Sequence, residues 1–349
     1  MERNPDVERH NDMIIYDPQQ KVSFYEFGIQ IPIKDSRAAR TFENLETHPV
    51  LGPRLAEWFV EKDHRPLARA DLERVHEPAY VDRLFSDALE AEIIRTYELI
   101  DSEGRYHRYA PHTATQPLTG LFARILERVS GTWQCCNVAL EKGFCFYFGG
   151  GMHHAQKSFG NGFCLLNDIV IAIRKLQAEK RIKTAWVIDV DAHKGDGTAA
   201  LTAEDPTIVT LSIHMGRGWP LDGPERDEAG RLNPSFIPSD IDIPVFIGED
   251  ALYLVKLEEG LRDLARRPKP DIAVIVSGAD PYEKDELPST ADLRLTLEQL
   301  FARDWTVYQF LKQRGIPRAY LMAGGYGEHS WEVYTRFLQW ALTDHLSIT

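Results

Sequence analysis

Long apolar runs are missing from this chain of 349 residues. No stretch approaches the roughly 18–20 apolar residues needed to cross a bilayer, so no membrane-spanning helix is expected. The first residues, MERNPDVERHND, are charged and lack the apolar segment of a secretory signal. Cysteine is scarce. Cys135, Cys136, Cys145 and Cys164 form no CxxC pair and no disulfide framework. They read as reduced, buried thiols of a cytoplasmic protein. Long basic runs are also absent and the net charge is −13, which argues against direct nucleic-acid binding. That charge suits a cationic substrate, although an acidic balance also serves solubility alone. No internal repeat, low-complexity tract or linker marks a boundary, so residues 1–349 read as one domain. These patterns are compatible with an oligomer.

What is present is a regular alternation. Met13–Tyr16 reads as a first strand, Leu51–Val60 as a short helix with Pro53 in its first turn, and Ala70–Leu84 as helical with a break at Pro78. Leu118–Glu141 has helical spacing with a possible interruption at Gly131. Strands follow at Phe144–Phe148, Thr184–Val190, Thr207–Ile213, Ile272–Ser277 and Ala319–Met322. Helices fall between and after them, over Asn167–Glu179, from Thr198, and over Glu249–Arg266, Ala291–Gln313 and Trp331–Ala341. Such alternation predicts an α/β fold with a mostly parallel sheet covered on both faces.

The stretch WVIDVDAHKGDGT, Trp186–Thr198, places Asp189, Asp191, His193 and Asp196 just after a buried strand. Residues two apart in an extended chain project to one side, so Asp191 and His193 can reach one point. The plain alternative is a strand end feeding an acidic turn. The rest of the chain favours the first reading, because titratable residues follow the carboxyl ends of successive strands. His153 and His154 follow one, Asp189–Asp196 the next, then Ser212 and His214, then Asp280, then Tyr326. Open α/β sheets bind ligands at that rim. Asp280 supplies a third donor to Asp191 and His193, and two carboxylates with one imidazole suit Zn²⁺ with an open position. His153 and His154 are candidate general base and acid, with Asp189 and Asp196 available to orient them. Tyr326 is a candidate hydrogen-bond donor to an oxyanion. Together these parts point to metal-assisted hydrolysis of an amide. His76 reads as structural or rim-lining.

The segments GGGMHHAQKSFGNGFCLLND, IDVDAHKGDGT, SGADPYEKDEL and AGGY resemble, in family order, the signatures of the zinc-dependent histone deacetylase superfamily. That superfamily includes acetylpolyamine amidohydrolases and acetoin-utilisation proteins. The likeness runs from about Gly149 to Tyr326, with a weaker trace in ERVHEPAYVDRL. It implies the arginase/deacetylase α/β fold with an eight-stranded parallel sheet. It implies one zinc ion held by Asp191, His193 and Asp280. It implies that His154 does most of the acid/base work while His153 gives electrostatic support, with Asp189 and Asp196 as their partners and Tyr326 at the transition state. It further implies a potassium ion near the side chains of Asp189 and Ser212 and the carbonyls of Asp191 and His193. An acyl-lysine tunnel would be lined by Gly162 and Phe163, with Trp219 opposite and Leu287 at the rim.

Lys194 stands where the family often has a second histidine, Lys284 where glycine is common, and Trp219 where phenylalanine is usual. No reacting group is lost, so these departures bear on substrate rather than reaction. The favoured activity is cleavage of an acyl amide on lysine, free or in a peptide or protein. Several of Arg105, Arg108, Arg217 and Lys284 are expected near the rim, where they would repel a polyamine locally, so acetylpolyamine hydrolysis ranks second. A catalytically silent acyl-lysine binder and a binuclear manganese ureohydrolase are the remaining alternatives.

Overall fold

In the computed structural model, which describes residues 13–18, 24–34, 36–63, 65 and 67–347, eight strands form one all-parallel sheet. In chain order they are β1 (Ile14–Tyr16), β2 (Phe59–Glu61), β3 (Phe144–Tyr147), β4 (Ala185–Asp189), β5 (Ile208–Met215), β6 (Ile241–Val245), β7 (Ile272–Ser277) and β8 (Arg318–Met322). Their order across the sheet is β2-β1-β3-β8-β7-β4-β5-β6.

The central strands are legible as apolar runs because helices bury both of their faces. In β4 the two faces sort by alternation. Trp186 and Ile188 join the core beneath the helices Tyr253–Leu264, Leu297–Gln313 and Ser330–His345. Ala185 and Val187 join the core under the helices Leu121–Lys142 and Asp168–Ala178. Asp189 continues the second row by period two, while Val190 and Ala192 continue the first as apolar core residues. The same alternation that packs the strand therefore keeps its polar row on one side as it leaves the sheet.

Several expected boundaries move. The expected helix Leu51–Val60 becomes a 3-10 turn at Gly52–Arg54, one helical turn at Leu55–Trp58 and then edge strand β2. β6 lies in a segment to which the sequence assigned no element, because an edge strand needs only partial burial and carries Asp242 and Pro244. Pro78 opens the helix Pro78–Leu84, where its missing N–H costs nothing. The helix Leu121–Lys142 runs through Gly131 without interruption. A Cβ there would lie 2.3 Å from Cζ of Tyr147, so that glycine serves close packing of helix on strand. The helix expected from Ala291 begins at Leu297, where Thr296 and Gln299 form a capping box. All four cysteines are buried and unbridged. No helix among the described residues is long and apolar enough to cross a membrane.

Candidate functional site

The polar residues singled out in the sequence lie at or just beyond the carboxyl ends of β3, β8, β7, β4 and β5, and these five strands are contiguous in the sheet. Their carboxyl ends share one rim. Asp191, His193 and Asp280 meet there, fully buried, with one ligand atom from each lying within 4.8 Å of the others. Nδ1 of His193 is 3.2 Å from Oδ2 of Asp280 and 3.4 Å from Oδ1 of Asp191. Its Nε2 lies 3.2 Å from the Ser289 hydroxyl, which leaves Nδ1 to face the carboxylates. The other carboxylate oxygens are held by backbone: Ala192 N–H donates to Asp280 Oδ1 and Gly324 N–H to Asp191 Oδ2. Burial, and then the negative charge of Asp191, push the Asp280 carboxyl up. Two buried carboxylates side by side with a converging imidazole form a donor set that a divalent cation would satisfy.

The adjacent histidines are oriented separately. His153 Nδ1 lies 2.6 Å from Asp189 Oδ2, and His154 Nδ1 lies 2.6 Å from Asp196 Oδ1. An ionised carboxylate only accepts, so each Nδ1 carries the proton. The Nε2 atoms are left to the site, and that of His153 is 3.8 Å from Asp191 Oδ1. Their environments part them. Burial disfavours charge on His153, yet the carboxylates of Asp189 and Asp191 outweigh it and push its pKa up to about 9. Burial, and then the neighbouring His153, bring His154 down to about 4. The two environments are opposed: neighbouring carboxylates favour the proton on His153, while burial and that neighbour disfavour it on His154.

A cavity of about 320 Å³ leads to these groups from outside. Gly162, Phe163, Trp219, Leu287 and Tyr326 line it, with His154 and His193 at its inner end. Gly162 has φ +52°, and a Cβ on it would lie 2.2 Å from the Trp219 ring and 2.7 Å from His154 Cδ2. Trp219 also stands edge-on to His154, with 4.4 Å between ring centroids. The indole at this position therefore closes tightly over bare backbone. A narrower space of about 60 Å³ continues past His153, Asp191 and Tyr326 to Gly151 and Ala323. Burial, and then the nearby charge of Asp280, push the Tyr326 hydroxyl well above its ordinary value, so it stays protonated. Ser212, paired with Asp189 across β4 and β5, accepts from Gly195 N–H at 3.5 Å.

Some expectations are corrected. His214 does not line the cavity. It bonds to the carbonyl of Met215 and faces Asp242 at 3.4 Å, tying β5 to β6. Of the four cations from which several were expected near the rim, Arg108 alone lines the cavity, and it is ion-paired with Glu98. Arg105 pairs with Asp101 and Glu103, Lys284 pairs with Glu332, and Arg217 lies over Phe246. His76 is structural: Nδ1 donates to Gln156 O and Nε2 accepts from Asn167 N–H.

Sequence reasoning missed the groups behind the site. Oδ2 of Asp196 accepts from Gln156, Asn161 and Ser235 at 2.9, 3.3 and 2.6 Å. Gln156 and Asn161 sit inside the GGGMHHAQKSFGNG segment and were open to notice. Ser235 arrives on a 3-10 turn of a Gly/Pro-rich loop and gave no local signal. Glu98 and Asp222, at the cavity mouth, were likewise not singled out.

This chain is similar to known proteins over most of its length. The family described as histone deacetylase domain matches residues 31–341. An uncharacterized protein of Picosynechococcus sp. is 32% identical over 261 residues, covering 75% of this chain and 77% of that protein. Histone deacetylase 2 of Arabidopsis thaliana is 26% identical over 329 residues, covering 93% and 77%. The acetoin utilization protein AcuC of Staphylococcus aureus (strain COL) is 27% identical over 339 residues, covering 95% and 81%.

Proposed function

We propose, on the premise that this chain belongs to the histone deacetylase family and is a deacetylase-type hydrolase, that it cleaves an acyl amide on lysine with the help of one zinc ion. The observation that carries this reading is the convergence of Asp191, His193 and Asp280 beside two histidines, each held at Nδ1 by a buried carboxylate.

Asp191, His193 and Asp280 would hold the zinc ion. When bound, that ion supplies a Lewis acid for the acyl carbonyl and lowers the pKa of water. The remaining work falls to the chain's own side chains. Neutral His154, its tautomer set by Asp196, accepts a proton at Nε2 from the attacking water and returns it to the leaving amine. Cationic His153, held by Asp189, offsets negative charge beside it. The Tyr326 hydroxyl donates to the carbonyl oxygen as it gains charge. Phe163 and Trp219 flank the methylene stem and exclude water, and burying each CH₂ is worth roughly 0.8 kcal/mol. The narrow inner space suits a short acyl group such as acetyl. A potassium ion near Asp189 and Ser212 belongs to the same proposal.

A second reading, hydrolysis of acetylpolyamines, gains support at the mouth. Glu98 and Asp222 outnumber Arg108 there, and Arg108 is already paired, so the expected repulsion of a polycation is weak. The test is kcat/KM on zinc-loaded protein for acetyl-lysine peptides, free acetyl-lysine, acetylputrescine and acetylspermidine, at low and high salt. Acetyl-lysine substrates are expected to lead. A lead of about tenfold or more (~1.4 kcal/mol) for acetylpolyamines would transfer the assignment to them. No turnover of either class would leave the lysine carrier unsupported.

A further inference from the structure

Beneath the site, Arg303 is fully buried on the helix Leu297–Gln313. We infer that it is a positioning residue for the metal centre, setting the gap between the strand ends that carry Asp191 and Asp280. The inference rests on the reading of Asp191, His193 and Asp280 as metal ligands.

β4 and β7 are paired as far as Asp189 and Val276, and Val190 N–H still donates to Val276 O at 3.1 Å. Beyond that point the ladder between the two strands ends. Carbonyls released from a ladder at this depth need another donor. Arg303 supplies it: Nη1 donates to Val190 O at 3.0 Å and to Gly278 O at 2.8 Å. Asp191 follows Val190 directly, and Asp280 stands two residues after Gly278. One nitrogen therefore bridges the last fixed points before the two carboxylates.

The guanidinium is itself held. Nε and Nη2 grip the two oxygens of Asp304 at 2.9 and 3.2 Å. Above the bridge, Ala192 N–H donates across the gap to Asp280. The space between is tight: a Cβ on Gly278 would lie 2.4 Å from Asp191 Oδ2 and 2.5 Å from Asp280 Oδ1. A small change in strand separation would therefore move both oxygens. A buried ion pair is a poor stabiliser, since apolar residues of similar volume usually do as well. Its geometric use, two carbonyls on one nitrogen, is what an apolar pair cannot reproduce.

The test compares the wild-type chain, Arg303→Lys, and the double variant Arg303→Met with Asp304→Leu, which fills the volume of the pair without charge. Three quantities are measured: melting temperature of the metal-free protein, zinc Kd by competition with a chromophoric chelator, and the visible spectrum with cobalt(II). The double variant is expected to fold but to melt below wild type, because the carbonyls of Val190 and Gly278 lose their donor, while its zinc Kd rises by about 10–100-fold. Its cobalt bands should shift, because the ligand geometry has changed. A folded variant with wild-type Kd and wild-type cobalt bands overturns the inference. So does failure of both variants to fold, which would make Arg303 a requirement of the fold instead. A wild-type chain that binds no zinc overturns the ligand assignment, an outcome these variants do not mimic.

Discussion

His154 and Asp196 are joined at 2.6 Å between Nδ1 and Oδ1, and both are buried. The bond presents His154 Nε2 to the cavity unprotonated. Positioned proton transfer contributes typically about 10²–10⁴-fold. His154→Ala is expected to lower kcat within that range while zinc content by mass spectrometry stays at wild type. His153→Ala should cost less, because its contribution is electrostatic. Equal losses, or a larger loss at His153, would reverse the assigned roles.

Tyr326 is placed by its backbone, whose N–H donates to Asp285 Oδ2 at 2.7 Å. Tyr326 lines the cavity, and burial keeps its hydroxyl protonated. One oxyanion donor is typically worth roughly 10²–10³ in kcat. Tyr326→Phe should show that loss with metal content unchanged. A variant with wild-type kcat would reduce the tyrosine to a wall residue.

The metal assignment makes its own demand. Purified wild-type chain should bind one zinc ion, and Asp191→Ala or Asp280→Ala should lose both metal and turnover. Chelator treatment should abolish activity, and added zinc should restore it. Two transition-metal ions per chain, or full retention in both variants, would contradict a mononuclear centre.

His76 predicts a pH-dependent stability. Burial pulls its pKa down from 6.5 to about 4, and its neutral Nε2 accepts from the N-cap residue of the helix Asp168–Ala178. The unfolded chain binds the proton more readily, so this contribution is complete above about pH 6.5 and is lost as pH falls toward about 4. A gap of that size corresponds to at most about 3 kcal/mol. Urea midpoints between pH 7 and pH 4 should fall less steeply in His76→Gln than in wild type. His154 and His345 are also held down by burial, so the difference between the two curves isolates His76. Parallel curves would remove it as a source of acid sensitivity.

The sequence by itself determined the central strands and the residues at their ends. A parallel strand buried on both faces must be a continuous apolar run, and Asp189, Asp191 and Asp280 break such runs where the sheet stops. Edge strands β2 and β6 carry no such signal, because each is buried in part and paired on one side only. Tertiary structure alone decided which groups face one another. Ser235 reaches Asp196 from a loop with no local periodicity, and Arg108 meets Glu98 across ten residues of chain. Arg303 looks from the sequence like a charge on an amphipathic helix, yet it lies buried with its guanidinium on two strand ends. Periodicity is a property of neighbours along the chain, whereas hydrogen-bond partners at a strand end are set by which strands the sheet places side by side.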